Sequence, residues 1–113
     1  MELFHLKTPF LDCQQCFFYS SHYLAGTPYI GIAQQQDEGA EPLMDVTVFL
    51  KDKIPQGCIA VKDYSENTGL VDFLKSIGFI TDVVEKRPSG FAEIPICRYD
   101  PAVLEKYSKM ARR

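Results

Sequence analysis

The chain has 113 residues, of which 46% are hydrophobic and 12% aromatic; this composition excludes wholesale disorder and predicts one domain over residues 1–113. Residues 1–105 hold all 15 acidic residues against 8 basic ones, a balance of −7, whereas residues 106–113 add four basic residues and bring the net charge to −3. An acidic body disfavours direct nucleic-acid binding, and the lack of an apolar run of about 18 residues disfavours a membrane span.

The first half of the chain predicts β-structure. Alternating apolar and β-prone residues predict four strands, over residues 1–9, 17–24, 29–33 and 45–50. The more polar stretches between them predict turns or loops, over residues 11–16, 25–28, 34–42 and 51–57. Because short turns join consecutive strands, we expect antiparallel pairing.

The stretch over residues 59–80 is the one around which the rest of the chain is organised. It has the pattern of a short apolar strand, a polar loop, an amphipathic helix and another strand. The helix is predicted from apolar residues that recur at i, i+3, i+4 and i+7: Leu70, Phe73, Leu74 and Ile77. Ser65 is the first candidate for its N-cap, Thr68 is the second, and Gly78 is the predicted C-terminal stop.

The end of the chain predicts two strands and a second helix. The strands cover residues 79–85 and 91–99, and Pro95 places the second one at a sheet edge because proline cannot donate to a ladder. Asp100 and Pro101 form a typical helix start. The apolar stripe of this helix is Val103, Leu104, Tyr107 and Met110. We therefore expect an α+β fold: a mostly antiparallel sheet of about five to seven strands, with a central helix and a C-terminal helix packed on one face.

The chain has four cysteines: Cys13, Cys16, Cys58 and Cys97. The first two have the spacing of half a zinc ribbon, but the other two stand alone in predicted strands, where thiols usually belong to the core. We therefore expect no bound metal and no other cofactor, with a cysteine–metal structural module as an alternative. His5 and His22 lie in predicted strands without a catalytic motif, so the sequence predicts no catalytic residues and no enzyme.

Polar and charged residues crowd the loop that leads into the central helix: Lys62, Asp63, Tyr64, Glu66 and Asn67. One interpretation is a partner-binding site in which Asp63 and Glu66 meet basic groups and Tyr64 is the apolar anchor. A second is an anion site formed by Lys62, the amides of the helix start and Arg98. A third is a capped turn with solvated charges, because helix caps collect these residue types.

Two segments carry a resemblance to a protein family. They are Lys-Asp-Tyr-Ser-Glu-Asn-x-Gly, beginning at Lys62, and Ser-Gly-Phe-x-Glu-Ile-Pro-Ile-Cys, beginning at Ser89. Together with Leu-Lys-Thr-Pro-Phe-Leu-Asp-Cys, beginning at Leu6, they make the chain similar to a family of small uncharacterised proteins of bacterial mobile elements, namely phages and conjugative elements. The resemblance implies no catalytic residues. It implies a setting in which small acidic proteins often bind and block host defence machinery.

The sequence therefore predicts a non-enzymatic binding protein of a mobile element, an inhibitor of a host defence system that acts through an acidic surface. The expected partner is a host protein of basic or nucleic-acid-binding character, and the expected location is cytoplasmic, since the N-terminus lacks a basic region followed by an apolar run. The alternatives are a protein that binds or sequesters a nucleotide, and the cysteine–metal module. The predicted partner-binding residues are Lys62, Asp63, Tyr64, Glu66, Asn67 and Arg98.

Overall fold

The computed structural model describes residues 2–23 and 27–108. These residues contain seven β-strands and two α-helices. In chain order they are β1 (Phe4–Lys7), β2 (Asp12–His22), β3 (Pro28–Gln36), β4 (Gly39–Asp45), β5 (Cys58–Ala60), α1 (Leu70–Ser76), β6 (Ile80–Ser89), β7 (Ala92–Tyr99) and α2 (Pro101–Lys106). Strands β1 to β4 form one sheet in that order, and the second sheet has the order β5–β7–β6. These strands all pair antiparallel. The predicted α+β class, with mostly antiparallel strands numbering about five to seven, a central helix and a C-terminal helix, is confirmed, and the strands are divided between two sheets.

One apolar core holds the two sheets and both helices together. Its centre is aromatic, because the Phe18 ring lies 4.9 Å from that of Phe4 and 4.7 Å from that of Phe79. Three of the four predicted stripe residues of α1 are buried in this core, and Ile77 is half-buried against it. The apolar side chains of α2 are half-buried on the same core, while Met110, the last predicted residue of that stripe, lies outside the described residues.

The three-stranded sheet is covered on both faces. On one face, Ile59 and Cys97 belong to the main core. On the other, Ile94 and Ile96 belong to a smaller apolar cluster that is covered by side chains from residues 48–54. Burial on both faces explains why the middle of β7 is apolar at successive positions rather than alternating with polar residues.

Two polar segments predicted as irregular belong to strands. Residues 11–16 lie mostly in β2, which accommodates them because Gln15 adopts φ = 60° in a bulge opposite β1. Residues 34–42 form a hairpin in which Gln36 pairs with Gly39. Both predictions are wrong because polar side chains indicate exposure to solvent and not the absence of a strand. The hairpin strands in these two segments are largely exposed, so they tolerate polar residues.

The strand predicted over residues 45–50 is also wrong, because β4 ends at Asp45. Residues 46–50, in which apolar side chains alternate along the chain, connect the two sheets and do not extend either of them. The Val46 N–H donates to a carbonyl of β3 at 2.8 Å, and the Val48 N–H donates to a carbonyl of β5 at 3.0 Å.

Pro95 predicts an edge strand, and this prediction is wrong, because β7 is the central strand of its sheet. The Pro95 carbonyl accepts a hydrogen bond from the Val61 N–H at 3.0 Å, just after β5 ends. If the β5–β7 ladder continued, the Val61 carbonyl would accept a hydrogen bond from the amide of residue 95. Because proline has no N–H, the Val61 carbonyl accepts a hydrogen bond from the Asp63 N–H at 3.1 Å instead. Pro95 therefore ends the β5–β7 ladder, limits β5 to three residues and allows the chain to turn into the loop that follows.

The end of α1 and the start of α2 follow the local signals that the sequence predicts. Gly78 adopts φ = 81°, and its N–H and the next one donate to carbonyls of the last turn of α1 in a Schellman motif, as predicted. The Asp100 carboxylate caps α2 and is followed by proline, also as predicted. The start of α1 differs, because neither Ser65 nor Thr68 provides a side-chain cap. Within the described ranges, neither helix is long and apolar enough to cross a membrane.

Candidate partner-binding site

The loop of residues 62–67 joins β5 to α1 and directs two of its side chains inward. Asp63 accepts hydrogen bonds from the N–H groups of Gly69 at 2.8 Å and Val71 at 3.3 Å, so its carboxylate serves the orphan amides at the start of α1. Asn67 is 1% exposed, and its amide donates to the Asp45 carbonyl at 2.9 Å. Both are predicted partner-binding residues, and both hold the loop in place.

Three other predicted site residues remain accessible from solvent. Glu66 is 71% exposed, and its carboxylate lies 3.9 Å from Lys62 Nζ. The same ammonium group is 5.9 Å from the centre of the Tyr64 ring, which is half-buried against the smaller apolar cluster. Lys62, Tyr64 and Glu66 are therefore the predicted site residues of the loop that a partner can reach.

Arg98 lies on β7, and the structure does not bring it to the loop residues. Its guanidinium group is 3.1 Å from the Asp82 carboxylate on the neighbouring strand β6. The amides at the start of α1 are bonded to Asp63, and Lys62 is paired with Glu66. The three groups of the predicted anion site therefore have separate partners.

A hollow of about 160 Å³ opens beside the loop where three segments distant in sequence meet. The β1–β2 turn contributes Phe10 and Leu11, and the end of β4 contributes Leu43 and Met44. The charged residues that line it are Asp45, Lys62 and Glu66. We call this surface the loop hollow; its formal charge is −1, and its only cation is already paired with one of its two carboxylates.

The β1–β2 turn is fixed against the loop by close packing. The buried Thr8 hydroxyl accepts hydrogen bonds from the N–H groups of Phe10 at 3.3 Å and Leu11 at 3.1 Å. A Cβ on Gly69 would lie 2.6 Å from Pro9 Cδ, and the φ of 93° at this position also favours glycine. The Phe10 side chain, which is 63% exposed, is therefore presented to solvent on a rigid turn.

A second concavity, of about 550 Å³, lies between α1 and the β6–β7 hairpin, and we call it the helix–hairpin groove. Tyr64 and Val71 contribute to its apolar lining, and Phe91 at the hairpin tip is fully exposed. Its charged lining residues are Asp63, Asp72, Lys75, Lys86 and Glu93. The formal charge of the groove is −1, the same as that of the loop hollow, but the Asp63 carboxylate is bonded to the helix amides, so two carboxylates and two ammonium groups are left to meet a partner.

Three of the four cysteines, Cys16, Cys58 and Cys97, are buried, and Cys13 is half-buried. Burial raises the pKa of Cys16 to about 11 and that of Cys97 to about 12, so both are thiols at neutral pH, whereas metal ligation and nucleophilic attack require the thiolate. Cys58 and Cys97 belong to different apolar clusters. Over residues 2–23 and 27–108, no group of three or more His, Cys, Asp or Glu side chains is arranged to hold a metal ion.

Five residues of the loop hollow were not predicted as site residues: Phe10, Leu11, Leu43, Met44 and Asp45. Phe10 had a usable signal, since it follows Pro9 at the end of a predicted strand, and an aromatic residue in a turn after proline is often exposed. Leu43, Met44 and Asp45 carry no such signal, because their place in the hollow depends on how β4 pairs with β3.

Comparison with known proteins gave no relative. No protein-family model matches the chain, and neither a curated protein nor a solved structure is similar to it. The resemblance to proteins of mobile elements therefore stays a prediction, and the function is inferred from the geometry of the loop hollow and the helix–hairpin groove.

Proposed function

We propose that this protein acts without catalysis, by binding another protein and covering a basic surface of that partner with the loop hollow. The composition of the hollow carries the proposal. The exposed Phe10 ring and the apolar side chains of β4 stand next to the carboxylates of Asp45 and Glu66. Such a site suits a lysine or arginine side chain, whose apolar stem packs on the rings and alkyl groups while its charged head meets a carboxylate.

The size of the loop hollow supports a protein partner over a nucleotide. Pockets for small molecules usually measure roughly 300–1,000 Å³, whereas this one measures about 160 Å³ and receives about one side chain. The charge of the chain points the same way, because the described residues include 15 acidic and 9 basic ones, a balance of −6. A negative surface accelerates the approach of a basic partner and repels phosphate groups.

The biological setting follows from the family resemblance. In a protein of a bacterial mobile element, the partner is a basic or nucleic-acid-binding protein of the host, and covering its basic surface inhibits a defence system. The inward-facing loop residues support only the binding role of the hollow, because Asp63 and Asn67 hold Glu66 and Lys62 in a fixed position for recognition.

The test compares matched changes on the two concavities. One double variant, Phe10→Ser with Glu66→Lys, alters the loop hollow, and the other, Phe91→Ser with Glu93→Lys, makes the same changes in the helix–hairpin groove. Each protein is immobilised and exposed to a bacterial lysate at two salt concentrations, and retained proteins are identified by mass spectrometry.

We expect wild type and the groove variant to retain the same basic protein, with less retained at high salt, and the hollow variant to lose it. Circular dichroism confirms that both variants are folded. The proposal fails if a folded hollow variant retains that protein as well as wild type does, or if wild type retains no basic protein.

A further inference from the structure

An aromatic cluster lies beside the loop hollow, on the face of the four-stranded sheet opposite the main core. Tyr19 and Tyr29 point to this face, since each is adjacent in its strand to a residue of the main core. The rings form a continuous row: Tyr19 and Tyr29 are 6.0 Å apart, Tyr29 and Tyr23 are 5.7 Å apart, and Tyr23 and Phe49 are 5.3 Å apart. The Phe49 side chain at the end of the row is 45% exposed.

Asp45 connects this cluster to the loop hollow. The Tyr29 hydroxyl donates to Asp45 Oδ1 at 2.6 Å, and its oxygen lies 3.3 Å from the Tyr19 hydroxyl. The Asp45 side chain is exposed and also lines the hollow. Among the described residues, no lysine or arginine forms an ion pair with Asp45, and its second oxygen accepts no hydrogen bond.

The cluster is held in one arrangement by its surroundings. Gly31 pairs with Asp45 across the sheet, and a Cβ there would lie 2.4 Å from the nearest atom of the Tyr19 ring, so the ring crosses the strand at a position that only glycine leaves open. Burial, with a contribution from Asp45, raises the pKa of Tyr29 far above its ordinary value, so its hydroxyl keeps its proton and continues to donate. A fixed carboxylate beside fixed rings binds without the cost of ordering them first.

We propose that Asp45, together with the rings of Tyr19 and Tyr29, binds the guanidinium group of an arginine side chain on the partner protein. This inference rests on the proposed function and specifies which basic side chain the partner presents. A guanidinium group is planar, donates two parallel hydrogen bonds to a carboxylate and stacks on aromatic rings, whereas a lysine ammonium group is compact and strongly hydrated. The Tyr29 hydroxyl occupies one acceptor position of the Asp45 carboxylate. The remaining acceptor positions are sufficient for two parallel hydrogen bonds from a guanidinium group.

The first arm of the test uses three peptides of the same length, acetyl-Gly-Arg-Gly-amide and its lysine and citrulline analogues. Binding is followed through the tyrosine ring signals in NMR spectra, and through tyrosine fluorescence, which is not masked because the chain has no tryptophan. We expect the arginine peptide to bind at least about fivefold more tightly than the lysine peptide, and the neutral citrulline peptide to bind most weakly.

The second arm uses variants of the protein. Asp45→Asn is expected to weaken binding of the arginine peptide by at least about tenfold, the factor that a charged hydrogen bond of roughly 1.5–3 kcal/mol supplies. Tyr29→Phe, which removes the hydroxyl that orients the carboxylate, is expected to weaken it by a smaller factor. Asp52→Asn, at another exposed carboxylate, is the control and leaves the affinity unchanged.

The outcomes separate this inference from the proposed function. Equal affinities for the three peptides, or an unchanged affinity in both Asp45→Asn and Tyr29→Phe, overturns the arginine site. If lysate capture is lost in the hollow variant but kept at wild-type level in folded Asp45→Asn, the arginine site is wrong and the proposed function stands. If neither change affects capture, both are wrong.

Discussion

The loop hollow and the helix–hairpin groove present similar residues but are built differently. Each has an exposed phenylalanine close to an exposed glutamate, Phe10 with Glu66 in one and Phe91 with Glu93 in the other. The hollow joins three distant segments that are fixed by buried contacts, and its charge is unbalanced. The groove is more than three times larger, at about 550 Å³ against 160 Å³, yet its two ammonium groups match the two carboxylates that do not cap α1, whereas the single ammonium group of the hollow is already paired with Glu66. We therefore choose the hollow over the groove as the proposed binding site on the basis of its fixed geometry and its unpaired carboxylate rather than its size.

The largest expected effect comes from the contact that fixes the β1–β2 turn against the start of α1. Gly69→Ala places a methyl group against Pro9 and forces alanine to φ = 93°, so we expect the free energy of unfolding to fall by about 2–5 kcal/mol. Urea denaturation measures the change. Gly90→Ala, at the hairpin tip beside the groove, is the control, because its φ is 63° but nothing lies within 4 Å of the new Cβ. Equal losses in the two variants would mean that the turn does not pack against the loop as described.

A smaller loss is expected from the buried amide under the hollow. Asn67→Ala removes the donor to the Asp45 carbonyl and should lower the free energy of unfolding by about 1–3 kcal/mol. It should also speed amide hydrogen exchange at the end of β4, where the free carbonyl loosens the chain. Thr68→Ala, an exposed neighbour, is the control and should change stability by no more than about 0.5 kcal/mol. A variant as stable as this control would show that Asn67 does not hold the loop.

The charge balance of the groove depends on the helix cap. Asp63→Ala frees two amides at the start of α1, and we expect a loss of about 0.5–2 kcal/mol in thermal or urea unfolding. Glu93→Ala removes a carboxylate of the same groove that has no hydrogen bond to a described residue, and it should be nearly neutral. If Asp63→Ala is also neutral, its carboxylate is free to face a partner, and the groove becomes the acidic surface.

The smallest effect on stability is expected at the rim of the hollow. Glu66→Lys should cost less than about 1 kcal/mol, because the ion pair with Lys62 is exposed and 3.9 Å long. The same change should slow association with the basic partner retained from lysate, measured by surface plasmon resonance, and reduce the dependence of the rate on salt. Glu66 alone is the residue to reverse, since changing Asp63 as well would remove the cap. An association rate equal to that of wild type would exclude Glu66 from the site.

The parts of the fold that depend on local rules were predictable from the sequence. The α1 stripe, its stop at Gly78 and the start of α2 at Asp100 each follow from residues a few positions apart. Pro95 shows where a local rule fails: proline forbids one hydrogen bond, and here that bond lies where β5 ends, so a central strand tolerates it.

The candidate site was predictable only in part. The sequence indicates that the loop before α1 is rich in polar residues, but not which of them turn inward. Asp63 and Asn67 turn inward because the α1 amides and the Asp45 carbonyl lie there in the folded chain. The contribution of Phe10 and of β4 to the hollow depends on contacts across more than thirty residues of sequence, which no local pattern reports.

Hydrogen–deuterium exchange of the protein alone and in complex with the retained basic partner tests most directly whether the loop hollow is the binding surface. We predict slower exchange in the complex over residues 8–11, 43–45 and 62–67, the three segments that meet at the hollow, and unchanged exchange over the hairpin tip at residues 88–92. Slower exchange confined to residues 71–75 and 86–93, on the two walls of the helix–hairpin groove, would contradict the account.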